Sequence, residues 1–220
     1  DIPESKLKVL NLRDERSHYP LLSLTDQFGN AFQSIVTNAM EISPGIFVLT
    51  TSRNGIYIYD RFHHKLVNHR HNAADPTSLV NNTPYTITTD STGWVFIGAT
   101  PHGISYFKSN AVIGQQSIFM DKQGNSYDGY ISSIATLDNV NYFIGTNDDL
   151  LAWNRNTNTT QFLINKLDID IPVKDQVNYV AFDNKRRLWA CIPGQGICVL
   201  DENHNLVTFL NLATNDNTNV

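Results

Sequence analysis

Apolar residues come in short runs rich in Val, Ile, Phe and Tyr, separated by clusters of Asn, Asp, Gly and Ser. No window places apolar residues at i, i+3, i+4 and i+7 between capping signals, so the pattern predicts strands throughout. The runs also recur. "GIYIYD" starts at Gly55, "GISYF" at Gly103, "DLLAWN" at Asp149 and "GICVLD" at Gly196. The period is about 47 residues. Ahead of each lies an aromatic-led run: "FVLTT" at Phe47, "FIGAT" at Phe96, "FIGT" at Phe143 and "WACIP" at Trp189. A further run precedes these ("SIVTNAMEI", "YTITTD", "ISSIATLD", "VNYVAFD"), and another follows the glycine-led one ("KLVNHRH", "QSIFMD", "TQFLIN", "LVTFLN").

Four strands per repeat at this period predict an all-β chain, a β-propeller of four-stranded antiparallel blades. Four blades are expected, at about 33–80, 81–128, 129–174 and 175–212. Residues 1–32 read as a partial blade or N-terminal strands, giving four to five blades in all, and 213–220 as a polar tail. Within a blade the strands are called a to d. The a–b turns carry Asp90-Ser91-Thr92-Gly93 and Asp183-Asn184-Lys185-Arg186. The b–c turns end on Gly55, Gly103 and Gly196, where positive φ is expected. Asp149 stands at the fourth such position, as a residue type that tolerates the same region. Strand b is apolar with little alternation, as a sheet packed on both faces requires.

Composition agrees with a folded core. The chain has 220 residues, 41% hydrophobic and 17% charged, with 11 Phe, 9 Tyr and 3 Trp, which argues against disorder. A net charge of −5 without a basic run argues against a nucleic-acid partner. No apolar run is long enough to cross a bilayer.

The repeat resembles that of two-component regulator propellers: strand, Asp-x-x-Gly, an aromatic–Ile-Gly-Thr strand, then Gly-Ile/Leu and a Tyr/Phe-containing strand. Asp90 to Phe107 carries it best, "FIGTNDDLLAWN" and "NKRRLWACIPGQGICVLD" carry it with losses, and "PGIFVLTTSRNGIYIYD" is least typical. The resemblance implies a periplasmic sensor region of a bacterial hybrid histidine kinase/response regulator, itself non-catalytic and without a cofactor, recognising carbohydrate. It also implies a ring of about seven blades, which needs roughly 330 residues. The chain is therefore expected to form an arc of a larger ring, in preference to closing into a small one, and to self-associate through its terminal faces.

The candidate chemistry is sparse. In propellers the b–c turns gather on one face, which clusters Arg53, Asn54, His102, Asp148 and Gln195 there as candidate ligand contacts. His63, His64, His69 and His71 read as a solvated outer hairpin in preference to a metal site. Asp148-Asp149 reads as a turn, since neighbouring side chains point differently. Cys191 and Cys198 are a candidate disulfide if their hairpin is centred between Gly194 and Gln195; two small buried thiols are the alternative. No nucleophile elbow, metal-binding helix or phosphate loop assembles. The sensor reading stands beside two others: an enzyme of lyase or glycosidase type on a propeller scaffold, and a protein-interaction platform.

Overall fold

The computed structural model describes residues 24–101, 103–109, 115–117, 119, 127, 129–164, 167 and 176–211. These residues form four antiparallel sheets, each of four strands in chain order, and no α-helix. The first sheet holds β1 (Val36–Ser43), β2 (Ile46–Thr51), β3 (Ile56–Asp60) and β4 (Lys65–His69). The second holds β5 (Pro84–Thr89), β6 (Trp94–Ala99), β7 (Ile104–Lys108) and β8 (Gln115–Ser117). The third holds β9 (Ile131–Thr136), β10 (Asn141–Thr146), β11 (Leu150–Asn154) and β12 (Thr159–Phe162). The fourth holds β13 (Tyr179–Phe182), β14 (Leu188–Ile192), β15 (Gly196–Leu200) and β16 (Leu206–Asn211).

The first strands β1, β5, β9 and β13 neighbour one another in that order, so strand a of each sheet lies innermost. The sheets do not close into a ring. The result is an arc of propeller blades, all β as the repeat predicts.

Three seams hold the arc. Val48 and Ile56 of the first sheet meet Ile87, Val95 and Ile97 of the second. Phe96 and Ile104 meet Tyr142, Ile144, Leu151 and Trp153 of the third. Phe143 and Leu150 meet Val180, Leu188 and Ala190 of the fourth. Strand b thus buries alternate side chains on opposite faces, which explains its unbroken apolar run. Each large aliphatic chain so buried contributes about 1.5–3 kcal/mol. The other face of the first sheet is covered by Leu24 and Phe32, which pack with Leu49, Tyr57, Tyr59 and Leu66. In strand b of the second sheet the seam leaves no room for a side chain at Gly98, where a Cβ would lie 2.5 Å from Ile131 Cγ2.

Buried and half-buried aspartates tie the a–b turns. The Asp90 carboxylate accepts from the Thr92 and Trp94 amides, each at 2.9 Å. It also accepts from the Tyr142 hydroxyl of the next sheet at 2.9 Å. Asp183 repeats the turn, accepting from the Lys185 and Arg187 amides and the Trp189 indole, each at 2.9 Å.

Two local expectations are corrected. Positive φ occurs at Gly55 (68°) and Gly103 (90°), but Asp149 does not adopt it. The third b–c turn is tighter: the Thr146 amide already reaches the Asp149 carbonyl at 3.1 Å, whereas the Thr51 amide reaches to Gly55. Asp149 is buried instead, and its carboxylate accepts from the Leu150 amide at 2.7 Å and the Ile164 amide at 2.8 Å.

The second correction concerns the cysteines, which are both free. Ile192 pairs with Gly196, so Cys191 faces Ile197 and Cys198 faces Ala190. The turn spans Pro193 to Gln195, with Gly194 at φ 70°, and shifts the register by one from a hairpin centred between Gly194 and Gln195. A one-residue shift sends the two thiols to opposite faces of the sheet. Cys198 is buried, which pushes its thiol pKa up to about 11, while Cys191 is half-exposed. Iodoacetamide at neutral pH is expected to modify Cys191 in the folded chain and Cys198 only after unfolding. Equal labelling of both in native buffer, read by peptide mass, would contradict this register.

Candidate functional site

The face carrying the b–c turns has a cavity of about 420 Å³. It lies where strands a of the first three sheets begin. Thr37 stands second in β1, Pro84 and Tyr85 open β5, and Tyr130 precedes β9. Ser52 and Thr100, at equivalent places after β2 and β6, complete the wall with Thr83. Its two aromatic rings form a tilted corner: Tyr85 and Tyr130 have centroids 6.1 Å apart and planes at 49°. Tyr85 is 53% exposed, an unusual state for a large ring at a strand start and open to a partner.

Several hydroxyls of this wall are committed to the scaffold. Thr37 Oγ1 lies 2.8 Å from Thr50 Oγ1 and donates to the Pro84 carbonyl at 3.2 Å, bridging the first two sheets. The Thr83 hydroxyl bonds the Thr100 carbonyl and also Asn81 Oδ1. Tyr130 is held at both ends. Its amide donates to Asn147 Oδ1 at 2.9 Å, and its hydroxyl accepts from Gln176 Nε2 at 2.6 Å. Among the described residues no carboxylate, ammonium or guanidinium lines the cavity. The arrangement can stack a ring face against tyrosine and exchange hydrogen bonds with hydroxyls.

Of the residues singled out from the sequence, Arg53, Asn54, Asp148 and Gln195 lie on this face but do not line the cavity. Arg53 is exposed in its turn. Asn54 is scaffolding: its side chain donates to Ser34 Oγ at 2.8 Å and its carbonyl accepts from Asn68 Nδ2 at 2.8 Å. The Asp148 carboxylate receives the Tyr127 hydroxyl. Gln195 completes the turn through its amide, which donates to the Ile192 carbonyl at 3.1 Å. His102 lies outside the described residues. Tyr85 and Tyr130 were not singled out. The signal for Tyr85 was present, as a large ring beside the strand-initial Pro84 in "TPYTITTD".

The histidines do not gather. His63 Nδ1 sits 2.6 Å from Asp60 Oδ2 in an exposed pair, while His71 Nδ1 lies 2.7 Å from the Leu79 carbonyl. Among the described residues no group of three metal-binding side chains forms. A second cavity of about 450 Å³ opens at the a–b turns. Its polar rim is already spent: Asn139 exchanges bonds with the Ser91 amide at 3.3 Å and the Ser91 hydroxyl at 2.8 Å.

Fold and cavity together define an arc of a β-propeller with an aromatic pocket at one mouth. No family model matches the chain, and no curated protein matches it by sequence. Solved structures do. The extracellular domain of BT4673 from B. thetaiotaomicron, described as a hybrid two component system, superposes with a TM-score of 0.59 at 17% identity, over 76% of this chain and 21% of that one. The chain therefore spans well under two thirds of that domain. The dihydro-heme d1 dehydrogenase NirN, in complex with DHE, superposes with a TM-score of 0.57 at 13% identity, over 84% and 40% of the two chains. The computationally designed Ika4 protein does so with a TM-score of 0.53 at 13% identity, over 81% and 96%. At these identities the likeness is one of fold, shared by an extracellular domain, a dehydrogenase and a design.

Proposed function

We propose that this chain is part of a periplasmic sensor propeller of a bacterial two-component regulator, and that it binds a small carbohydrate in the cavity between Tyr85 and Tyr130. The observation that carries this reading is the cavity itself: aromatic faces and hydroxyls supplied by the described residues, at the mouth where blade loops converge. Sugar rings present apolar C–H faces that stack on tyrosine and equatorial hydroxyls that hydrogen-bond. The likeness to the extracellular domain of BT4673 supports the sensor role. The blades themselves are rigid seams, so the signal leaves by a change in domain or dimer packing. Self-association through the outer face of the fourth sheet, where Tyr179 and Leu210 are exposed, belongs to the same reading. A monomer in light scattering at high concentration would remove that part.

A thermal-shift series against neutral oligosaccharides tests the binding. At a ligand concentration a hundred times Kd the fold gains about 2.7 kcal/mol, and the melt is expected to rise while the glycan remains intact. Tyr85→Ala is expected to abolish most of that rise. Cleavage of the glycan would instead make the chain an enzyme, and silence across the series would favour an interaction platform.

A further inference from the structure

We infer that Tyr130, held by Gln176, is the specificity-determining residue of the mouth cavity, and that its hydroxyl donates a hydrogen bond to an uncharged ligand. This rests on the reading of that cavity as the ligand site. Gln176 Nε2 lies 2.6 Å from the Tyr130 hydroxyl and 2.6 Å from Asn178 Oδ1. An amide nitrogen has two protons and no accepting lone pair, so one goes to each, and the Tyr130 oxygen accepts. A hydroxyl that accepts on one side becomes a better donor on the other. Among the described residues none takes the Tyr130 proton, and the ring faces the cavity.

The donor is held in place. Next to Gln176, the Val177 amide donates to the Thr146 carbonyl at 2.8 Å, and the Val177 carbonyl accepts from Ser132 Oγ at 2.6 Å. The connector between the third and fourth sheets is thus bonded to the third sheet beside Tyr130. Charge preference follows from the described residues of the wall, which are Thr, Ser, Pro and Tyr. A charged ligand would lose hydration there without meeting a countercharge from any of these side chains.

Calorimetry with two sets of probes tests this: neutral gluco-, manno-, galacto- and xylo-oligosaccharides, and the matching uronate oligomers. A neutral probe is expected to bind, and Tyr130→Phe to weaken it about fivefold. Gln176→Glu preserves size but offers only acceptors, so it draws the Tyr130 proton toward itself. That variant is expected to weaken binding as much as Tyr130→Phe, with little further loss when the two are combined. A purely structural glutamine would give no such coincidence. Uronates binding as tightly as their neutral partners would overturn the inference, as would Tyr130→Phe binding unchanged; in either case a loss with Tyr85→Ala would leave the cavity as the ligand site. A bound sugar indifferent to both tyrosines would overturn the cavity as well, and no binding by either set would overturn the sugar-binding reading and the inference together.

Discussion

Trp153→Ala is expected to cost about 3–5 kcal/mol, the range for removing a buried Trp or Phe side chain from a packed core. Trp153 is 1% exposed and stands at the centre of the seam between the second and third sheets. Its ring meets Tyr142 at 5.3 Å, Phe119 at 5.7 Å, Tyr106 at 5.8 Å and Phe96 at 6.5 Å between centroids. Three of those four contacts come from residues of the preceding repeat or its connector, so truncation opens a hole between blades. The indole nitrogen also donates to Asn158 Oδ1 at 3.0 Å, holding the turn between β11 and β12, where Asn158 adopts φ 54°. Trp153→Phe keeps most of the ring and loses that donor, and should fall between the two. Urea unfolding of the three chains measures the series, and a loss under about 1 kcal/mol for Trp153→Ala would mean the seam repacks.

The strands and their grouping into blades were legible because they rest on local pattern and repetition. β-branched and aromatic runs bounded by turn residues specify strands, and four copies of one order specify one architecture. The cavity was not legible in the same way. Thr37, Tyr85 and Tyr130 lie about one repeat apart and meet only because strands a neighbour one another at the centre of the arc. Repeat alignment marks these positions as equivalent; it does not show that the starts of strands a, and not the tips of the b–c turns, wall one pocket. Hence it pointed to Asn54 and Asp148, which the fold spends on Ser34 and Tyr127. Turn length misled it at two further points. One residue more or less in a b–c turn decides whether Cys191 faces Cys198 and whether Asp149 turns left-handed or caps the strand after it. The bond between Asp90 and Tyr142 was hidden for the same reason as the cavity, since its partners belong to successive repeats.

That bond carries the second large effect. Asp90→Ala is expected to cost about 3 kcal/mol at neutral pH, because it takes a buried carboxylate from several donors at once. The Asp90 side chain has 0% exposure and sits 3.8 Å from Arg155 Nη1, which stacks on Trp94 at 4.6 Å. Loss of the carboxylate leaves the Thr92 and Trp94 amides without their acceptor and the Arg155 guanidinium, 3.8 Å away, without its countercharge. Burial alone pushes the Asp90 pKa up, yet bonds from the Trp94 amide, the Thr92 hydroxyl, the Tyr142 hydroxyl and the Thr92 amide outweigh it and hold the pKa below the usual value. The same bond, after desolvation, pushes the Tyr142 hydroxyl up. A carboxylate with a depressed folded pKa stabilises above its unfolded pKa, and the stability is lost as pH falls through the folded value. The conservative Asp90→Asn keeps the volume and removes the titration. Wild type should therefore exceed Asp90→Asn by its full margin at pH 7, and the margin should shrink below about pH 4. Urea midpoints of both chains from pH 7 to pH 2 measure it; a margin that stays constant across that window would place the contribution of Asp90 in its packing and leave its charge without a part in joining the two sheets.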